Sequence, residues 1–384
     1  RAGDMAGEHA GWIKRLESEK LLDRKLEQLP SGTQINERLN AGRGLTRSEL
    51  AILLAYTKIA LKKWMLASEL PDDPYLADRL TEYFPKPLRE RFAALIPSHR
   101  LGREIITTVA VNRFVDSQGM TAFHRLSTET GAGLADIVRA QLAARSIYAV
   151  GRSEVLLGRM SDLNAGVATE LRLELRRVVE RATRWLLHNR RSPLDIKAAV
   201  TEFAEPVAAI RAKLSELLNP SQTERAEGKR VAWIEQGAPA ELAAEMSAFG
   251  YAHFALGIAQ TARRLGVDAV AAARVHTQLC EALSLDLMDA QVYFLPRKQR
   301  WDAMARASLR DELLAAQSEL TARAIGEIGV ERIDDPVGLV EDWIAMNPGL
   351  AERAVMLREI NSGSTDLAKM SVGLGQIRAI LRAE

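Results

Sequence analysis

The sequence predicts an all-α fold, an irregular multi-helix bundle built as two packed helical subdomains. Three observations point there. Apolar residues recur at three- and four-residue spacing along most of the 384-residue chain, the period that places side chains on one face of a helix. The segments between turns are rich in Ala, Leu, Arg and Glu, which lose little freedom in a helix. Aromatic residues make up only 5%, and no convincing alternation of the kind a half-buried strand needs is visible. Arg145–Gly151 (RSIYAVG) is the one stretch with any strand character.

The elements follow in order. Trp12, Ile13, Leu16, Leu21, Leu22 and Leu26 suggest a helix or helix pair ending near Pro30, and Asn40–Gly44 reads as a loop. Thr46-Arg47-Ser48-Glu49 fits a capping box, with Leu50, Leu53, Leu54, Leu61, Trp64 and Met65 at helical spacing behind it. Pro71 and Pro74 stop that helix and start the next, Asp73 capping and Pro74 in the first turn. Short helices are expected near Leu88–Leu95, Arg100–Val115, Thr121–Thr128 and Leu134–Tyr148, with Gly119 and Gly131 just past helix ends. The longest regular pattern runs from about Ala168 to His188. Leu171, Leu175, Val178, Val179, Ala182, Trp185 and Leu186 form its apolar stripe. Ser192-Pro193-Leu194-Asp195 starts another helix by the same cap-then-proline pattern, which Pro206 should kink or break.

Asn219–Lys229 is polar, contains Pro220 and Gly228, and marks the best internal boundary. Helical patterns resume near Val231 and continue to Arg382. The expected division is therefore 1–40 as the end of a preceding region or connecting helices, 41–218 as a first helical subdomain, 219–230 as a linker, and 231–384 as a second subdomain.

Charge and composition exclude several classes. Lys plus Arg is 52 and Asp plus Glu is 50, for a net charge of +2. A nucleic-acid-binding domain usually shows a larger basic excess, because phosphate neutralisation dominates its affinity. A single cysteine, Cys280, permits no internal disulfide and fits a reducing compartment. No apolar run approaches the ~20 residues that span a bilayer, and no secretory signal is visible. A soluble, cytoplasmic protein is expected. Because the chain opens on Arg1 rather than Met, it reads as a piece of something larger.

The residues that could carry chemistry are few. A dinucleotide-binding loop needs three closely spaced glycines after a strand. Gly42-Arg43-Gly44, Gly131-Ala132-Gly133 and Gly373-Leu374-Gly375 start correctly, but Arg47, Asp136 and Arg378 stand where the third glycine belongs. Each reads better as a turn between helices. His276 and Cys280, four apart, share a helix face, but two ligands do not close a zinc site, so a buried inert pair is expected. His124 and His253 read as packed or solvated. Asp72-Asp73 before Pro74 and Asp334-Asp335 before Pro336 read as helix caps rather than acid–base pairs. No serine lies in a nucleophile-elbow pattern. The most unusual local feature is a basic face carried by Arg172, Arg176, Arg177, Arg181 and Arg184. It is a candidate site for an anion or partner, although Glu170, Glu174 and Glu180 lie close enough to pair with it. The residues themselves thus support no catalytic, cofactor-binding or metal site.

One family resembles this chain. The segment GLTRSELAILLAYTKIALKKWMLASELPDDPYLADRLTEYFPKPLRERF (Gly44–Phe92) is similar to the C-terminal helical region of the large bacterial NAD-dependent glutamate dehydrogenases. The likeness extends upstream through Gly7–Ser31 and downstream through Arg103–Leu142 and Glu180–Ile196. It weakens beyond Pro220 and partly returns at Asp366–Ile380. Family members often have proline where this chain has Ser48, and glycine where it has Gln118. Both departures concern turn geometry rather than chemistry.

The resemblance implies a very large subunit whose central core converts L-glutamate, water and NAD to 2-oxoglutarate, ammonium and NADH. It also implies that the substrate-binding lysines, the catalytic aspartate and the nucleotide loop lie in that core, so no catalytic residue is carried over here. NAD is then expected in the parent enzyme and not in this region. The expected partners are the catalytic core and neighbouring subunits of a homo-oligomer, with no membrane and with nucleic acid disfavoured. The alternative from a different class is a non-enzymatic helical module that binds an acidic partner or nucleic acid through the basic face around Arg172–Arg191.

Overall fold

A computed structural model describes residues 5–160, 163–295 and 300–382. Among these, all regular structure is helical and no strand occurs, as the periodicity predicts. Two compact units are present. The first comprises Arg1–Ala143, Leu186–Ala198 and Lys298–Arg300. The second comprises Ala144–Trp185, Ala199–Arg297 and Trp301–Glu384.

In the first unit the helix Arg47–Leu66 packs on Gly102–Gln118 and on Ala6–Ser18. Its start is the expected capping box: Thr46 Oγ1 accepts from the Glu49 N–H, and Glu49 accepts from the Thr46 N–H at 2.6 Å. Leu53, Leu61 and Met65 of this helix, Trp12, Ile13 and Leu16 of Ala6–Ser18, and Phe114 of Gly102–Gln118 are all buried in this unit. Asp73 caps the short turn Pro74–Leu76 by accepting from the Tyr75 N–H at 3.0 Å. Gly131 takes the left-handed conformation just past Ala122–Thr130 (φ 72°), where a Cβ would be strained.

The second unit contains the apolar stripe of the long helix. Leu171, Leu175, Val178, Val179 and Ala182 of Ala165–Asn189 are all buried. Pro220–Glu235 packs on Ala240–Phe249, and Ala269–Ala282 packs on both Ala255–Leu265 and Pro336–Met346. Asp335 caps Pro336–Met346 by accepting from the Gly338 N–H, the role its place before Pro336 predicts.

Several local expectations are corrected. Residues 219–230, expected as a linker, are Asn219 and the first turns of Pro220–Glu235. Polarity misled there. Asn219 and Gln222 form a capping box with Pro220 in the first turn, and Ala226 and Trp233 bury the inner face. Pro206 does not break its helix but lies inside Ile196–Ala212. That helix is capped by Asp195, which accepts from the Ala198 N–H at 2.8 Å, and not by Ser192. Gly373 and Gly375 lie within Leu367–Arg382 rather than in a turn. Met288 and Ile360 side chains sit within 3.5 Å of where a Gly373 Cβ would be, so a close approach of neighbours explains that glycine. Arg145–Gly151 adopts no strand; it ends one helix at Ile147 and begins another at Gly151.

Candidate functional site

The second unit contains an open-sided pocket of about 680 Å³. Helical spacing delivers its polar walls. Glu174, Arg177 and Arg181 stand at i, i+3 and i+7 on Ala165–Asn189, and Arg225 and Lys229 at i and i+4 on Pro220–Glu235. His276 and Cys280 stand at i and i+4 on Ala269–Ala282, and Asp286, Asp289 and Tyr293 at i, i+3 and i+7 on Leu285–Phe294. Each series therefore faces one way from its helix.

Several of the charges in this pocket are paired, some within a helix and some across elements. Buried Glu174 accepts from Arg177 at 2.9 Å and from Lys229 at 3.0 Å. The Glu174 Oε2 lies 2.9 Å from where a Gly250 Cβ would be, so any side chain at 250 would push this carboxylate away. His253 has both ring nitrogens against acceptors: Nδ1 lies 3.1 Å from the Gly250 carbonyl and Nε2 3.3 Å from Asp289. Arg181 lies 3.9 Å from the same Asp289 carboxylate. Burial alone would raise the Asp289 carboxyl, but the charges of His253 and Arg181 beside it hold it below the usual carboxylate range. Asp286 goes the other way. Burial raises it, and its contact with the Asn219 side-chain amide at 2.7 Å only partly offsets this.

His276 and Cys280 meet as their spacing predicts, with Sγ 3.7 Å from Nε2. The Thr321 hydroxyl donates to the Gln317 carbonyl at 2.8 Å, so its oxygen accepts from His276 Nδ1 at 3.0 Å. Burial, reinforced by the charge of His253, lowers the His276 imidazolium to about 3. Burial, with Asp286 and Asp289 nearby, pushes the Cys280 thiol up. The pair is therefore a neutral imidazole beside a neutral thiol, not the thiolate–imidazolium couple that attacks a substrate. Among the described residues no group of three or more His, Cys, Asp or Glu could hold a metal ion. The pocket has the volume and polar lining to hold a small polar molecule.

The buried imidazole has a measurable consequence. In the unfolded chain His276 takes up a proton near its ordinary value of 6.5, whereas in the folded chain it does so only near 3. Between those values the unfolded state binds more protons, so stability is lost as pH falls through that window and is complete above it. His276→Gln removes this dependence. The advantage of wild type over the variant in urea unfolding should shrink by on the order of 3 kcal/mol between pH 7 and pH 4. A difference that stays constant with pH would show that the ring is not buried as a neutral group.

The five arginines of the expected anion face have separate fates. Arg172 is exposed and Arg176 half-buried. Arg177 and Arg181 line the pocket, where Arg177 also stacks over the Tyr293 ring at 5.2 Å. Arg184 is buried and forms a two-pronged ion pair with Asp311. The pocket itself was not visible in the sequence. The signal it left was the carriage of Glu174, Arg177 and Arg181 on one helical face, which reads equally well as solvated. Of the other candidates, His124 stacks against Trp12 at 5.4 Å in the first unit. Among the described residues no helix is long and apolar enough to cross a membrane.

Residues 42–379 match the family described as glutamate dehydrogenase, C-terminal. The chain belongs to that family. Its curated relatives include the NAD-specific glutamate dehydrogenase of Mycobacterium tuberculosis, 37% identical over 99% of this chain but only 23% of the relative. The protein of the same name from Pseudomonas aeruginosa is 33% identical over 97% of this chain and 23% of its own length. That of Halomonas elongata is 32% identical over 93% and 22%. This glutamate dehydrogenase C-terminal chain thus spans under a quarter of the length of the relatives it matches. The weakening of resemblance expected beyond Pro220 is not a limit of the family, whose match runs on to residue 379.

Proposed function

We propose that this chain is the helical C-terminal region of a large cytoplasmic enzyme that oxidises L-glutamate to 2-oxoglutarate and ammonium while reducing NAD. The observation that carries the reading is the similarity of 97–99% of the chain to two proteins named NAD-specific glutamate dehydrogenase. The region itself is non-catalytic. In support, Glu174, His253 and Asp289 in its pocket have oppositely charged partners, and burial holds the His276 imidazole and the Cys280 thiol neutral. Residues 1–40 connect it to the catalytic core, a reading supported by a family match that starts at residue 42. Its work is to assemble the homo-oligomer against the core and neighbouring subunits, and to pass regulatory signals to the core. The pocket supports the regulatory part, as a place where a small polar ligand could be received.

The full-length protein should form NADH from L-glutamate and NAD, and removing residues 42–379 should change the oligomer mass or the turnover. An inactive full-length protein refutes the enzyme reading. An unchanged oligomer with unchanged kinetics refutes the assembly and regulatory role. The alternative, a non-enzymatic module that binds an acidic partner or nucleic acid through the Arg172–Arg191 face, has less behind it. Arg177, Arg181 and Arg184 already have carboxylate partners within the second unit.

A further inference from the structure

In the first unit, the residues from Tyr83 to Leu101 form an elbow whose apolar side chains face outward. The short helix Lys86–Arg91 has no buried residue. Past it the Phe92 N–H donates to the Leu88 carbonyl and the Ile96 N–H to the Phe92 carbonyl, across a turn. Leu88, Phe92 and Leu95 recur in the sequence at the four- and three-residue spacing that ordinarily marks a face packed on a core. Here all three are exposed, Leu95 to 64%, and Tyr83 and Leu101 at the two ends of the segment are 55% and 56% exposed. Of the residues 83–101, only Ile96 is buried, and it anchors the elbow where the turn Ile96–Ser98 packs on Ala77–Tyr83. Pro85, Pro87 and Pro97 stiffen the segment. A six-residue helix does not hold its shape in water by propensity alone, and exposed apolar side chains clustered on one element mark an interaction surface.

We propose that this elbow docks onto the catalytic part of the same polypeptide, the part that lies outside these 384 residues. The proposal rests on the reading of the chain as one region of a larger glutamate dehydrogenase. Two observations select this occupant. The relatives are more than four times as long as the stretch they share with this chain, so most of the protein surface near the region is its own polypeptide. The same segment also carries Lys86, Arg89, Arg91 and Arg100 against the single carboxylate of Glu90. Two copies meeting through this face by two-fold symmetry would set like charges against each other. The partner face is thus apolar at its centre with an acidic rim.

The test uses the full-length protein with Leu95 replaced by the photo-crosslinking residue p-benzoylphenylalanine. After irradiation, adducts should map to peptides outside residues 1–384. Adducts confined to this region of a second copy, adducts with nucleic acid, or no adducts would overturn the proposal. The double variant Leu88→Asp, Leu95→Asp gives a second reading. Limited proteolysis should release the helical region at least tenfold faster than from wild type, and an unchanged rate would overturn the proposal. NADH formation from L-glutamate, assayed on the same samples, separates the two levels. An active enzyme without core adducts sinks only the docking, whereas an inactive wild-type protein sinks the underlying reading.

Discussion

Replacing Trp12 by alanine is expected to destabilise the first unit by about 3–5 kcal/mol. The indole is fully buried and stands edge-on to Trp64 and Phe123, with ring centroids 6.0 Å apart in both pairs. Its Nε1 donates to Thr57 Oγ1 at 2.7 Å. Alanine would leave a cavity between Ala6–Ser18 and Arg47–Leu66 and would strip the aromatic contacts from both neighbours. Phenylalanine should cost less. It keeps most of the ring and loses the hydrogen bond, worth about 1 kcal/mol, and the Thr57 hydroxyl still donates to the Leu53 carbonyl at 2.7 Å. Hydrogen exchange of the amides in Arg47–Leu66 is the suitable measurement, because it reports on this unit alone. A loss below 1 kcal/mol for Trp12→Ala would mean that the helix Ala6–Ser18 is an appendage, not part of the core.

The second large effect lies in the other unit. Asp311→Ala should cost about 3–5 kcal/mol, because it removes the carboxylate from a buried ion pair and leaves the cation in place. Only 2% of the Arg184 side chain is exposed, and its guanidinium donates through Nε and Nη2 to Asp311. Half-buried Arg310 lies 3.8 Å from the same carboxylate. Burial and the charge of Arg181 lower its guanidinium, with Asp311 acting in the opposite direction. Removing Asp311 thus takes from both arginines a carboxylate that they share. The double variant Arg184→Met, Asp311→Leu should recover most of the loss, since apolar replacements for a whole buried pair are often neutral. Denaturant midpoints of the single and double variants decide the matter. A double variant as unstable as the single one would show that the pair is a binding or positioning element and not a matter of uncompensated charge.

The parts of the structure that could be read from the sequence share a short range. Thr46 with Glu49 and Asp335 with Gly338 are contacts over three residues, so the sequence contains both partners side by side. That His276 and Cys280 meet was legible for the same reason. Asn219-Pro220-Ser221-Gln222 is likewise a helix-start signal, and the polar residues after it are exposed on a helix rather than absent from one.

The sequence alone determined that this chain is helical and where several of its helices start, because periodicity and capping act within a few residues; the family it resembles was legible in matching segments such as Gly44–Phe92. The tertiary structure alone decided which basic residues are spent inside the protein. Lys229 reaches Glu174 across 55 residues and Arg184 reaches Asp311 across 127, and no local pattern encodes a pairing at that distance. It also decided that Leu88, Phe92 and Leu95 are exposed. Periodicity says only that apolar residues recur; whether they meet a core or solvent is set by the packing of the other helices.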